Sequence, residues 1–539
     1  MEMNILESTF TKNMVLESER YYKAENKRYD FYPEDTILTS NEEYIAISKA
    51  NKEPLSAAFF MKDLHDVTLD FGGAELVFHG RIAPFVLDGC QNISIKNCKI
   101  NYDRPFYTEA KLLEADTSHI RIKISNGFPY RVEDGYLIAQ SEYWENRLNE
   151  KNLRLQLYDP ITHAVAPVEF IFALIGKEIF PHPNLPLPVR QLMAEEDGDE
   201  VVLYGEFPAS WKAGYDLVIT HERRDKNVFT AIGCNDVNVE HVRILHGASM
   251  GFVGMHCRNL SFRDFSMYRD EEHPNLVTNN ADAIHTFHCS GHILLEDCKM
   301  ENMLDDSLNV HGNYTIVDEC EKNKLYAAIK AFGLSTRFRN YMPGDRIAIY
   351  YGTTMNKKAE YTVEAVGVDS DRYLLTLDGD TTGIEKGDMI ENIGGQADIT
   401  IRNCTFGLFC GTMRLQSRGK ILIENCSYAR KGPNILFSGD TTYWYESSPV
   451  QDVAIRNCDF QGVIEMAPEM TYSDDARYYH KNIHIENCHF ARMDVLHAQY
   501  TDEIVFRNNY SDGGKMQVFL KHCGSCEVDE NCEIIQLNA

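Results

Sequence analysis

The sequence predicts an all-β chain: a right-handed parallel β-helix, or solenoid, carrying two small inserted β-barrel domains. Three observations carry this expectation. A short motif recurs along most of the chain, its strands alternate at period two, and two long stretches lack it. The motif reads apolar-x-apolar-charged-Asn/Asp-Cys-x-apolar. It stands as NISIKNCKI at 92–100, HILLEDCKM at 292–300, DITIRNCTF at 398–406, KILIENCSY at 420–428, DVAIRNCDF at 452–460 and NIHIENCHF at 482–490. Degenerate copies occupy 238–244, 260–267 and 504–511.

Each element of the motif has a physical role. Cys404, Cys426, Cys458 and Cys488 are separated by 22, 32 and 30 residues, a repeat length that marks a solenoid. Ile93 and Ile95, Ile399 and Ile401, and Ile483 and Ile485 alternate as one face of a strand does. Asn at the sixth place tolerates the left-handed geometry of a sharp bend. After the bend, Cys and the apolar residue two places on point inward again. Each coil is therefore strand, bend, strand. The cysteines read as a ladder of small buried thiols, which suits a reducing compartment. Cys523-Gly-Ser-Cys526, the one CxxC, reads as a terminal coil.

The expected organisation follows the motif. Residues 1–102 hold an N-terminal cap and the first coils; 103–230 are an inserted β-rich domain. Coils return at 231–313, a second inserted β-barrel fills 314–395, and coils close the chain at 396–539. The first insertion carries the Pro-rich PHPNLPLP at 181–188. The second carries RIAIYY (346–351), YTVEAV (361–366) and RYLLTL (372–377) between turn signals at Pro343-Gly344-Asp345 and Gly387-Asp388.

Composition excludes several function classes. The chain has 539 residues, 44% of them hydrophobic, with 53 Lys+Arg against 81 Asp+Glu, a net charge of −28. That content rules out global disorder. The acidic balance argues against nucleic acid and against anionic membranes as partners. No run approaches the ~18 apolar residues of a spanning helix. The start, MEMNILESTFTKNMVLESER, lacks the pattern of a signal peptide, so a cytoplasmic location is expected, or a secreted one if a leader has been removed. The oligomeric state is not fixed by the sequence, which allows a homodimer. No metal or other cofactor is called for.

The chemistry concentrates at 279–314, NNADAIHTFHCSGHILLEDCKMENMLDDSLNVHGNY. Asp282 lies 23 residues before Asp305, about one coil, so Asp282 and the Asp305–Asp306 pair can share one face of adjacent coils. Carboxylates crowded in this way repel, and at least one keeps its proton near neutral pH. A protonated acid beside an ionised base is the equipment for glycosidic bond cleavage. The three are expected to face solvent. Both members of the doublet reach a cleft only at a bend or bulge. His285 and His311 can orient a carboxylate or bind a sugar hydroxyl, while His285 and His288 should face opposite sides of a strand. Trp444, in TTYWYES with Glu446, offers an aromatic platform and a hydroxyl acceptor for a hexose. Asp103 and Arg104 either reach the cleft or pair at the root of the first insertion.

These residues carry a resemblance. NNADAIH, LDDSLNVHG and the coil pattern resemble the polygalacturonase-type β-helix glycosidases. The closer likeness is to glycoside hydrolase family 110, the exo-acting α-1,3-galactosidases. It runs through FGGAELVFHGR (71–81), NYDRPFYTEAKLL (101–113), YDLVITHERR (215–224), ADAIHTFHCSGHILLEDC (281–298), LDDSLNVHGNY (304–314), RLQSRGKILIENC (414–426) and GDTTYWYESSPVQDVAIRNC (439–458). The resemblance implies an inverting hydrolase that removes a terminal α-linked galactose from an oligosaccharide or glycoconjugate, of blood group B type or linear Galα1-3Gal. It implies Asp305 as general acid, with Asp282 and Asp306 holding and deprotonating the water. Where uronidases place Arg-x-Lys, this chain has Arg414-Leu-Gln416; the neutral amide suits a neutral hexose. Two other readings stand beside this one: a β-helix lyase or other glycosidase on acidic polysaccharide, and a non-catalytic carbohydrate-binding solenoid.

Overall fold

The computed structural model describes residues 15–18, 20–39, 54–148, 154–168, 170–175, 190–221, 226–331, 336, 338–407, 411–470 and 477–537. The Pro-rich segment 181–188 lies outside them, as does much of the N-terminal stretch read as a cap.

The chain is a parallel β-helix with three faces. On the first face, parallel strands follow one another from His65–Phe78 and Gln91–Tyr102 to Thr501–Arg507 and Cys526–Val528. Their register puts Val67, Ile93, Val237, Leu260, Ile293, Ile399, Ile421, Val453, Ile483 and Ile504 in one column. All are buried, and each such side chain contributes roughly 1.5–3 kcal/mol by leaving water. A second face stacks strands from Leu55–Lys62 to Cys532–Gln536. The third is a 6-stranded sheet of two-residue strands from Lys299–Met300 to Tyr510–Ser511.

The expected bend is where the repeat places it. Asn97, Asn403, Asn425, Asn457, Asn487 and Asn508 have φ between 55° and 61°, and Asp297, Asp264 and His241 take the same corner at 56°, 46° and 52°. Just past it, the thiols of Cys298, Cys404, Cys426, Cys458 and Cys488 are buried and donate to the carbonyl two residues back, at 3.2–3.4 Å. Two places on, Phe406, Tyr428, Phe460 and Phe490 stack with centroids 4.8, 4.9 and 5.1 Å apart.

The structure adds a ladder that the motif does not announce. Cys90, Cys234, Cys257, Cys289 and Cys523 each follow a left-handed residue at a different corner: Gly89, Gly233, His256, His288 and His522. Cys523 thus belongs to a coil corner, with its thiol on Lys521 O and Ala498 O. His288 sits at this corner with φ 52°, not on the alternating stretch of strand assumed for it.

Two closed barrels interrupt the coils. The first joins Tyr107–Ala115, His119–Ile124, Glu200–Tyr204, Arg190–Asp197, Ile171–Ile175, Arg154–Tyr158 and Asp216–Thr220. It is not wholly antiparallel, since Ile171–Ile175 and Arg190–Asp197 run parallel. Its Leu112, Ile120, Leu155 and Leu217 belong to the same apolar cluster as the solenoid interior. The second barrel grows from a coil strand, Leu308–Glu321. That strand pairs with Lys324–Ala328, and the ring continues through Arg372–Leu377, Lys357–Asp369, Arg346–Tyr350 and Met389–Asn392 back to Tyr314–Ile316. Its core, around Val317, Leu325, Ile347, Leu375 and Ile390, is separate. Among the described residues no helix is long and apolar enough to cross a membrane.

Candidate active site

The site is built on three consecutive strands of the second face. Ile284–Phe287 pairs with the start of Leu308–Glu321, and that start pairs with Met413–Leu415. Ile284, Leu308 and Met413 point into the core, fully buried. The alternate positions, His285, Asn309 and Arg414, form a column on the outer side. Continuing the register back from Ile284 and Leu308 makes Asp282 and Asp306 mates, and Ala283 N donates to Asp306 O at 2.9 Å. The one-coil partner of Asp282 is therefore Asp306, with Asp305 beside it in the turn. Gly411 lies against that turn: a Cβ there would overlap the Asp305 carbonyl oxygen and the Asp306 Cα.

A fourth carboxylate arrives from elsewhere in the chain. The short strand Glu446–Ser447 lies antiparallel on Gly312 and Asn313. Glu446 Oε2 accepts from Gln416 Nε2 at 3.0 Å, and Oε1 accepts from Asn309 Nδ2 at 3.3 Å and stands 3.7 Å from His311 Nε2. Burial alone would raise this carboxyl, but His311, Arg414, His285 and the Gln416 bond outweigh it and bring it to about 2. Glu446 is thus an anion at any ordinary pH.

Asp306 is driven the other way. Burial comes first, then the neighbouring charges of Asp305, Asp282 and Glu446, and together they push its carboxyl well above the usual range. Arg414 Nε, 3.2 Å from Asp306 Oδ2, opposes them without cancelling them. The Asp305–Asp306 pair therefore holds a proton to higher pH than an isolated carboxylate does.

Asp282 is not at the solvent face. It is 2% exposed, because its turn tucks under the coil bearing Asp306. Its Oδ2 is 2.5 Å from His285 Nδ1, His285 Nε2 is 2.9 Å from His311 Nε2, and His311 Nδ1 donates to Gly312 O at 2.6 Å. Each of these contacts needs one proton, and the carbonyl can only accept. Asp282 Oδ1 is buried with no hydrogen-bond partner among the described residues.

The remaining sequence candidates divide. Trp444 is 37% exposed, edge-on to Tyr443 at 4.7 Å. Its loop is fixed by Asp440, which accepts from the backbone N–H groups of Thr442, Tyr443 and Trp444. The described contacts do not bring Asp103 and Arg104 into the cluster. Asp103 Oδ2 is 3.4 Å from His79 Nδ1. Arg104 is buried and donates to Pro105 O, Tyr107 O and Thr108 Oγ1.

Sequence reasoning missed Asn309, Asp440 and Gly411. Asn309 was findable as the one-coil mate of His285; Asp440 and Gly411 act through folded geometry that no local motif announces. A separate cleft of about 550 Å³, lined by Lys99, His241, Arg243, Asp264 and Tyr268 among others, shares no residue with the cluster.

No protein-family model matches the chain. Two solved structures overlap it weakly at 8% identity. The catalytic domain of a GH87 alpha-1,3-glucanase covers 80% of this chain and 88% of its own, with a TM-score of 0.27. The family 28 exopolygalacturonase of Yersinia enterocolitica covers 95% and 72%, with a TM-score of 0.30. Among curated proteins, alpha-1,3-galactosidase B of Bacteroides thetaiotaomicron is 27% identical over 501 residues, covering 89% of this chain and 79% of that protein. Alpha-1,3-galactosidase A of Bacteroides fragilis is 27% identical over 507 residues, covering 89% and 80%. The chain that gathers these carboxylates is thus similar along most of its length to proteins named alpha-1,3-galactosidase.

Proposed function

We propose that the chain is an exo-acting glycoside hydrolase that removes a terminal α-1,3-linked galactose from a neutral oligosaccharide or glycoconjugate. The observation that carries this reading is the cluster itself: Asp282, Asp305 and Asp306 on neighbouring coils, with the doublet holding its proton more tightly than an isolated carboxyl, inside a chain similar over 89% of its length to alpha-1,3-galactosidases.

The roles follow from the charges. A carboxyl that keeps its proton can give it to the leaving glycosidic oxygen; the resemblance assigns that part to Asp305, whereas the raised carboxyl of the doublet is that of Asp306. The resemblance gives the water to Asp282 and Asp306, mates in register; the raised Asp306 carboxyl favours Asp306 as the doublet's proton donor and leaves Asp282, paired with His285, as the base. Glu446, ionised and fixed by Gln416 and Asn309, suits hydroxyl acceptance better than contact with an anionic sugar. Gln416 in place of a cation favours a neutral hexose for the same reason. Arg414, against Asp306, is a further hydroxyl donor, and Trp444, two residues before Glu446 in the chain, is proposed as the sugar's platform.

Incubation with Galα1-3Gal and with p-nitrophenyl α-galactoside tests the reading: free galactose is the expected product. Proton NMR of the first turnover should show β-galactose, the product of inversion. Release of oligosaccharides or unsaturated uronides from acidic polysaccharide, with no galactose from these substrates, would replace the reading with the lyase alternative.

A further inference from the structure

Outside the carboxylate cluster, a buried polar junction lies behind the Glu446 segment. Glu391, on the second-barrel strand Met389–Asn392, is fully buried. Its Oε2 accepts from an Arg418 terminal nitrogen at 2.5 Å, and its Oε1 accepts from Ser448 Oγ at 2.6 Å. Gln396, where the chain returns from barrel to coil, donates Nε2 to Ser448 Oγ at 2.8 Å and accepts Arg418 N at 2.9 Å. Tyr350, on the barrel strand Arg346–Tyr350, accepts from the same Arg418 nitrogen at 2.8 Å. Barrel, coil turn and site segment therefore meet at one network with a buried ion pair at its centre.

The segment held by this network is backbone-strained. Ser448 has φ 113° and Tyr445 φ 56°, a half of conformational space that residues with a Cβ seldom use. Glu446 and Ser447 run between them, pressed onto Gly312, where a Cβ would meet Ser447 Oγ. A backbone kept out of its preferred basin persists only where its surroundings over-determine it. Here the Ser448 hydroxyl, bonded to a buried carboxylate and to the half-buried Gln396 amide, supplies that constraint.

We propose that Glu391 and Ser448 are positioning residues: the second inserted barrel holds Glu446 at the carboxylate cluster through the Ser448 hydroxyl. Glu446 is the residue that touches substrate; Glu391 and Ser448 act through it. What Glu446 does there rests on the galactosidase reading, but the means by which it is held does not.

The two Ser448 substitutions separate strain from tie. Ser448→Ala loses the hydroxyl and keeps the strained Cβ, so the segment is driven off. Ser448→Gly loses the hydroxyl but is at ease at this φ, so the segment is only released. Backbone hydrogen exchange across 442–447 should quicken by about 10–100-fold in Ser448→Ala, the equivalent of a charge-assisted hydrogen bond lost, and by less in Ser448→Gly. In the same order, KM for an α-galactoside should rise by about tenfold or more with kcat changed less, because a hydroxyl acceptor in the bound ground state has moved. Melting temperatures should stay close to the wild type. Unchanged exchange across 442–447 in both variants would overturn the proposal, as would quickening spread evenly through the chain with a lowered melting temperature. If the wild type hydrolyses no α-galactoside, only the functional reading fails; the exchange comparison still decides the positioning claim.

Discussion

The two inserted barrels reach the same site by opposite chemistry. The first approaches Asp282: Asn280, two residues earlier, donates Nδ2 to Phe106 O at 3.0 Å. It is fused to the solenoid by shared apolar packing and by hydrogen bonds, with Glu109 Oε1 accepting from Leu276 N at 2.6 Å, His246 Nε2 accepting from Phe106 N at 3.2 Å and the His246 ring against Tyr107. The second approaches Glu446: Ser448, two residues later, is tied to Glu391, and Arg418 pairs with Glu391. Its apolar core stands apart from the solenoid's. A joint of shared core is broad and forgiving, because many small contacts hold it. The second joint has apolar contacts too, such as Phe338 against Phe287 and Tyr350 and Met389 beside Tyr445, but it adds an ion pair that is narrow and directional, and loss of a single partner exposes all of its cost. The second barrel is therefore the one whose single residues should reach the site.

Removing the chemistry that both joints serve gives the largest effect. Asp305→Asn and Asp306→Asn should each lower kcat by about 10²–10⁴ with an equal or slightly raised melting temperature, since mutual repulsion is relieved; full activity in either would leave the barrels framing something other than a catalytic centre. Next comes the narrow joint. Arg418→Met leaves the Glu391 carboxylate buried without its cation and should destabilise by about 3–5 kcal/mol, with limited proteolysis cutting the second barrel before the first.

Gly411→Ala sharpens the comparison by disturbing the doublet without touching either barrel. The added methyl must displace the Asp305–Asp306 turn, and a displacement near 1 Å can cost about 10² in rate. Kinetics with wild-type melting behaviour would confirm that the loss is one of placement.

The smallest effect is on the broad joint. Burial lowers His246 to about 3, so it stays neutral in the fold while the unfolded chain takes up its proton below the ordinary value of 6.5. Its share of stability is complete above that value and is lost as pH falls from 6.5 toward 3. Denaturation measured from pH 7 to pH 4 should therefore fall less steeply for His246→Gln than for the wild type.

Much of this molecule is readable from one motif. The bend is a local requirement, so Asn97, Asn403 and Asn425 announce it by type; the inward column is a period-two pattern, so Ile293, Ile399 and Ile421 announce it by spacing. The barrels show through the motif's absence and through turn residues such as Pro343-Gly344-Asp345. Asp282, Asp305, Asp306 and the flanking histidines are visible because they crowd one short stretch. What is hidden depends on contact between distant segments. Nothing near Glu391 signals that it meets Ser448, and the burial of Asp282 depends on how its turn tucks beneath the next coil. The second cysteine ladder escaped for a different reason: its corner is marked by Gly in some coils and His in others, so no single residue type labels it.

The fixed corners also bear on the order in which the chain folds. Cys404 and Cys426 are neighbours in the ladder at a separation of 22 residues, while Cys298 and Cys404, one coil apart in the same ladder, are 106 residues apart because the second barrel lies between them. A flexible loop pays about 0.6 kcal/mol for each doubling of its length, and pairings far apart in sequence form late. The coils from 396 onward join near neighbours throughout, so they can zip together first and offer a finished edge to the rest. Of the strands that carry the cluster, Ile284–Phe287 and the start of Leu308–Glu321 pair locally, while the pairing of that start with Met413–Leu415 spans the long excursion, so the candidate site should be completed late, after the second barrel has closed on itself. Pulse-labelled hydrogen exchange during refolding should show early protection across 421–507 and late protection at Gln416 N, which donates to Val310 O across the excursion.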